Sequence, residues 1–238
     1  MSPPNDAGLR EWFHWLRTTD AGPVVVAREV LSTTAVVVGI GLLLFAISGI
    51  WPPMVAVESG SMQPHMHRTD LIFVMEEHRL AGDAAQDGTG VVTHRAGEAA
   101  GYERFGSYGD VVIYRPGGES SATPIIHRAM FWVEEGENWY DEADPSYVGG
   151  ADDCGELAYC PAPHAGFVTK GDDNEVYDQA GSYANTGPVR PGWIVGTAEL
   201  RIPWLGWVRL QFAEAPAPEV SPVANSSDAS RLAATPSA

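Results

Sequence analysis

The sequence predicts a mainly β domain carried on one N-terminal transmembrane helix, and two observations lead there. Residues Val30 to Trp51, VLSTTAVVVGIGLLLFAISGIW, contain no charged side chain, and they reach the ~20 apolar-compatible residues that a bilayer-crossing helix requires. Beyond them the chain breaks into short alternating or apolar runs separated by Gly, Pro and Asp, which is the pattern of strands and turns.

The apolar run has two competitors, and both fit less well. A cleaved secretory signal has an apolar region of about 7 to 15 residues behind a short basic start, whereas here a long polar segment, residues 1–29, precedes it. A buried helix of a soluble core would show a polar face, and nothing interrupts this run. Arg10, Arg17 and Arg28 precede the helix, and the first basic residue after it is Arg68. Arginine asymmetry of this kind places residues 1–29 in the cytoplasm and the remainder outside.

The candidate strands are Met54 to Glu58, Leu71 to Met75, Val111 to Tyr114, Ile125 to Val133, Phe167 to Thr169 and Trp193 to Arg201. They form one domain over residues 52–212. Two stretches rich in Gly, Asp and Glu, 76–108 and 134–165, read as surface insertions. Residues 213–238, rich in Ala, Pro and Ser, carry too little apolar content to pack and read as a disordered tail. Pro203, Trp204, Trp207 and Phe212 form either an amphipathic lip at the membrane interface or part of the β core.

The net charge is -17 and the isoelectric point about 4.6, and Lys170 is the only lysine. Without clustered Lys and Arg there is no footprint for nucleic acid. Such an acidic surface self-repels in ordinary buffer and is screened when the Debye length falls to about 3 Å, at molar salt. Cys154 and Cys160 lie close enough in sequence for a short-loop disulfide, with two free thiols as the alternative. Only Asp152, Asp153 and His164 lie near them, too little for a metal site.

The chemistry-bearing residues fall in three places. Glu58-Ser59-Gly60-Ser61-Met62-Gln63-Pro64 offers a serine on a sharp turn, where backbone N–H groups can hold an oxyanion. His127, in Ile125-Ile126-His127-Arg128, sits inside an apolar strand, where an imidazole is either a satisfied core group or a general base. Thr169-Lys170-Gly171-Asp172-Asp173-Asn174, followed by Asp178, supplies carboxylates that can orient an imidazole or simply form an acidic turn. His65 and His67 lie too close to Ser61 along the chain to serve as its base, and as a metal pair they lack partners. Lys170 is a poor base, because the acidic residues around it are expected to raise its pKa.

Together the boxes Ser-Gly-Ser-Met-Gln-Pro, Gly109-Asp110-Val111-Val112-Ile113-Tyr114, Ile126-His127-Arg128 and Thr169-Lys170-Gly171-Asp172-Asp173-Asn174 resemble signal peptidase I, in order, over roughly residues 30 to 212. The histidine gives the archaeal and endoplasmic-reticulum branch, and the acidic composition reads as that of a halophilic archaeon. The resemblance implies a signal-peptidase-like β fold, with Ser61 as nucleophile and His127 as general base. It implies Asp178 first and Asp172 second as the acid that orients the base, and Ser59 with the Ser61 N–H as oxyanion hole. It further implies no metal or cofactor, and removal of signal peptides after small residues from secretory precursors, at the bilayer and beside the export channel. The sequence departs from the family pattern at Thr69-Asp70, where Gly-Asp is usual, and at Asp173, where Asn is usual. A processing peptidase of narrow specificity and an inactive membrane-anchored scaffold are the alternatives.

Overall fold

The computed structural model describes residues 8–20, 22–180 and 186–213. Helix α1 (Leu9–Thr18) lies within the segment read as plain polar chain. Leu9, Trp12, Phe13 and Leu16 recur at helical spacing there, an amphipathic signal that a count of charges passes over.

Helix α2 (Gly22–Ser48) starts earlier and stops earlier than the uncharged run. Pro23 suits a first helical turn, and Arg28 and Glu29 are tolerated near the start of a helix that is otherwise apolar all round. At about 1.5 Å per residue it is long enough to cross a membrane. Gly49, at φ 82°, ends it, because only a residue without Cβ takes the left-handed conformation without strain. The last carbonyls are capped from outside the helix: Arg79 Nη1 donates to the oxygens of Ala46 (2.8 Å) and Ile47 (3.0 Å). Ser48 is fully buried and donates its hydroxyl to the Val74 oxygen at 2.7 Å, while the Glu76 N–H donates to the Ser48 oxygen at 2.9 Å.

The domain is built on a six-stranded antiparallel sheet. Its strands are β1 (Met54–Ala56), β2 (Leu71–Met75), β5 (Val111–Tyr114), β6 (Ile125–Val133), β7 (Gly166–Lys170) and β8 (Ile194–Ile202), in the spatial order β1-β2-β8-β5-β6-β7. Three are buried along their whole length: the apolar runs β2 and β5, and β7, which ends in the polar pair Thr169-Lys170. One core cluster holds Met62, Met66, Ile72, Val74, Val111 and Ile113; another holds Val91, Val112, Tyr114, Ala129, Phe167 and Val189. The alternation 111/113 against 112/114 is the strand period dividing one strand between two packed faces.

The stretch 76–108 contains helix α3 (His94–Ala100) and a hairpin of β3 (Glu103–Arg104) and β4 (Ser107–Tyr108). Thr93 caps α3 by accepting from the Ala96 N–H, and Gly101 closes it in the left-handed conformation. The hairpin turn is Phe105-Gly106, both at positive φ.

The stretch 134–165 is more than a surface excursion. Trp139, Val148, Leu157 and Ala162 are buried in a core of their own, shared with Phe131, Val168 and Tyr177. Much of its acidity shapes turns: Asp144 accepts from the Ser146 N–H (2.9 Å) and Asp153 from the Gly155 N–H (2.7 Å). Cys154 and Cys160 are joined by a disulfide.

Helix α4 (Gly206–Ala213) follows β8. Pro203, Trp204 and Trp207 are exposed, Trp204 at 78%, so they belong to the surface rather than the β core. The Phe212 side chain and residues 214–238, most of the segment read as a tail, lie outside the described residues.

Candidate active site

Ser61 opens a single helical turn just after β1. The Gln63 N–H donates to the Gly60 oxygen, and the Met66 N–H to the Met62 oxygen at 2.9 Å. Met62 and Met66, four residues apart, share one face of this turn and are both buried, at 1% and 0% exposure. They pin the turn into the core while Ser61, one position earlier, stays half-exposed. The Ser61 oxygen also accepts the Asp173 N–H at 2.9 Å, which ties the turn to the loop after β7.

His127 is placed by sheet register. It pairs with Val112 on β5, and Ala129 pairs with Thr169 on β7. Side chains alternate along a strand, so Tyr114, His127, Ala129 and Thr169 share one face. Asp178 reaches that face from the loop after β7, its N–H donating to the Thr169 oxygen at 2.9 Å.

The outcome is a relay. His127 Nε2 lies 3.0 Å from Ser61 Oγ, and His127 Nδ1 lies 2.6 Å from Asp178 Oδ2. The His127 and Asp178 side chains are 10% and 8% exposed, so their bond is largely shielded from water. Asp178 Oδ2 also accepts from the Tyr114 hydroxyl (3.0 Å) and from Thr169 Oγ1 (2.7 Å). Gln179 holds Thr169 in turn: its Nε2 donates to Thr169 Oγ1 and its Oε1 accepts the Thr169 N–H. Burial first, and the neighbouring Asp178 charge second, push the Tyr114 phenol well above its ordinary range, so it remains a donor. A tautomer with Nδ1 donating to Asp178 turns the Nε2 lone pair towards Ser61. Sequence reasoning assigned no role to Tyr114 or Thr169, although both lie inside the quoted boxes.

Asp172 is engaged elsewhere. It pairs in bidentate fashion with Arg128, Nε to Oδ1 at 2.8 Å and Nη2 to Oδ2 at 2.7 Å, and His65 Nδ1 lies 2.7 Å from Oδ2. Arg128 is 1% exposed and spends Nη1 on backbone oxygens, including Gly109 at 2.9 Å. Burial pushes the Asp172 carboxyl up, but the Arg128 and His65 contacts outweigh it and the net shift is downward. His65 therefore faces Asp172, and His67 is exposed.

Lys170 departs from expectation. Burial lowers its pKa, and the carboxylates of Asp172, Asp178 and Asp173 offset this only in part. Its geometry is nonetheless that of a structural ammonium: Nζ donates to the oxygens of Gly171 (2.9 Å) and Asn174 (2.7 Å) and lies 4.5 Å from the centre of the Tyr147 ring. A nitrogen engaged in this way has no lone pair to offer.

Ser59 is exposed, with its hydroxyl 3.1 Å from Ser61 Oγ. Ser61 and His127 open onto a cleft of about 460 Å³, whose walls include Val55, Val57, Pro124, Ile125 and Ile126. Among the described residues β1 has β2 as its one strand partner, and Ile125 to His127 have β5, because β7 joins β6 from Arg128 onward; the Met54 oxygen of β1 also accepts from Arg209 Nη1 at 3.1 Å.

A serine hydroxyl, an imidazole and a shielded carboxyl group in hydrogen-bonded series, beside a cleft with strand backbone at its edges, are an arrangement that can carry out acyl transfer on an extended peptide. No protein-family profile matches the chain. It is similar to the signal peptidase complex catalytic subunit sec11 of Aspergillus oryzae (strain ATCC 42149 / RIB 40), with 27% identity over 190 residues that cover 77% of this chain and 76% of that protein.

Proposed function

We propose that this chain is a membrane-bound serine endopeptidase that removes N-terminal signal peptides from exported precursors, cutting after small residues. The observation that carries the reading is the relay from Ser61 through His127 to Asp178 at the mouth of the cleft. The similarity to a signal peptidase catalytic subunit supports the substrate class.

The chemistry follows from the placement of protons. Ser61 Oγ attacks the scissile carbonyl carbon while its proton passes to His127 Nε2, and Asp178 stabilises the imidazolium that results. The Ser61 N–H and Ser59 hydroxyl hold the oxyanion. The carbon–nitrogen bond then breaks, and the proton on Nε2 passes to the leaving amine. Water, deprotonated by the same imidazole, releases the acyl group and regenerates Ser61. No cofactor enters.

An extended substrate pairs with the backbone of β1 and of Ile125 to His127. Its first and third side chains before the cut then point the same way, towards the apolar walls of the cleft. Helix α2 is the anchor that holds this site near the bilayer, with the N-terminus cytoplasmic and the domain outside, beside the export channel. Tethering raises the local concentration of precursor without further contacts. The retention of a complete relay favours an enzyme over an inactive scaffold.

The test is cleavage of a purified precursor with an alanine-rich signal site, in molar salt and detergent. The wild type cuts once after the small residue and Ser61→Ala does not. Cleavage by Ser61→Ala, or no cut in any exported precursor, overturns the reading.

A further inference from the structure

We propose that the inserted stretch 134–165 is a positioning element for the relay, acting through Tyr147 on the Asp178 loop and on the turn that holds Ser61. The proposal rests on the reading of Ser61, His127 and Asp178 as the reacting set.

Tyr177, the residue immediately before Asp178, is only 3% exposed, and the insertion grips it at three points. Its N–H donates to the Tyr147 oxygen at 3.0 Å, and its hydroxyl accepts the Asp144 N–H at 3.2 Å. Its ring meets Tyr147 edge-on at 5.5 Å and Trp139 at 6.4 Å, with Phe131 of β6 at 5.5 Å completing the cage. A peptide unit fixed at amide, ring and hydroxyl leaves the next residue little freedom in where its carboxylate points.

The second line runs through Lys170. Its ammonium lies over the Tyr147 ring and donates to the Gly171 and Asn174 oxygens, closing the loop after β7. The Asp173 N–H of that loop holds the Ser61 oxygen. Tyr147 therefore reaches both ends of the relay, Asp178 through its neighbour Tyr177 and Ser61 through Lys170 and then the loop after β7. The disulfide between Cys154 and Cys160 closes the segment that carries Leu157, whose side chain is buried in the same core as Tyr177.

Tyr147 contacts no reacting atom and is a positioning residue. Displacement of a reacting group by about 1 Å can cost on the order of 100-fold, so a loosened cage shows itself in turnover before it shows itself in binding.

The experiment compares the full-length protein with Tyr147→Ala, Tyr147→Phe and the pair Cys154→Ser/Cys160→Ser, all in detergent and molar salt. One readout is kcat and KM on the precursor. The other is the low-field proton resonance of the His127–Asp178 bond, assigned by its loss in Asp178→Ala. Tyr147→Ala is expected to lower kcat by about 10- to 100-fold with KM little changed, and to broaden the resonance. Tyr147→Phe, which keeps the ring, restores both, and the cysteine pair gives a smaller loss in the same direction. The proposal is overturned if Tyr147→Ala folds and keeps kcat and resonance at wild-type values. If Tyr147→Ala does not fold, unchanged kcat and resonance in the cysteine pair overturn it. A wild type that shows the resonance but cleaves no precursor sinks the peptidase reading alone, and the resonances of the variants still decide the positioning role.

Discussion

His127 Nδ1 lies 2.6 Å from Asp178 Oδ2, although 51 positions of sequence separate the two residues. β6 supplies one and the loop after β7 the other. Because the antiparallel pair keeps Ala129 opposite Thr169, the imidazole and the hydroxyl that steadies its carboxylate arrive on the same face. Four consequences can be tested.

His127→Lys abolishes cleavage. A lysine at this position would lie beside Asp178, which favours its charged form, and it could not bridge Asp178 and Ser61 through two separate ring nitrogens. The expected loss in kcat is on the order of 10⁶-fold, and for Asp178→Asn about 10⁴-fold, as relay groups act together. Single-turnover rates on the precursor check both.

Tyr114→Phe removes one of three donors to Asp178 Oδ2 while leaving the ring buried. Among the described residues the carboxylate is then held by Thr169 and His127 alone and orients the imidazole less strictly, at an expected cost of about 10-fold in kcat with KM little changed. Steady-state kinetics measure this, and an unchanged kcat would show that Tyr114 only fills space.

Gly171→Ala lowers activity with the sheet intact. A Cβ there would stand 2.6 Å from the Ser61 oxygen and 2.9 Å from the Asn174 side chain. The Ser61 turn must retreat, at an expected cost of about 10- to 100-fold in kcat. Far-ultraviolet circular dichroism, unchanged beside that loss, separates displacement from unfolding.

Asp172→Asn destabilises the domain at neutral pH by about 3 to 5 kcal/mol, because it strands the buried Arg128. The sign with pH follows from the lowered pKa of Asp172 in the fold. Its ionised form favours folding, so its contribution is full above the unfolded value near 4 and is lost as pH falls through the folded one. Urea midpoints of wild type and variant therefore converge in acid.

The strands were legible because β2 and β5 are apolar runs with clear borders and β6 is apolar on either side of His127-Arg128, and the sequence reading placed them where they lie. Ser61, His127 and Asp178 could be named from motif order, but their distances depend on a register that no local pattern encodes. Tyr114 and Thr169 were invisible as partners for the same reason. The stretch 134–165 misled because its acidic turns outnumber Trp139, Val148 and Leu157, which do the packing. The charges around Lys170 suggested a raised pKa, since burial, the larger influence, leaves no mark in a sequence.

The seam between α2 and the sheet has a mechanical meaning. Ser48 is bonded to Val74 and Glu76, and Arg79 clamps the last helical carbonyls, so direct bonds from helix to sheet bridge the short segment 49–53 that joins them. Two strands of the same sheet carry the pair, Ser61 following β1 and His127 lying on β6, so its height above the end of the helix is set by that joint. Lengthening the helix by one turn would raise that height by about 5.4 Å and rotate the pair slightly about the helix axis.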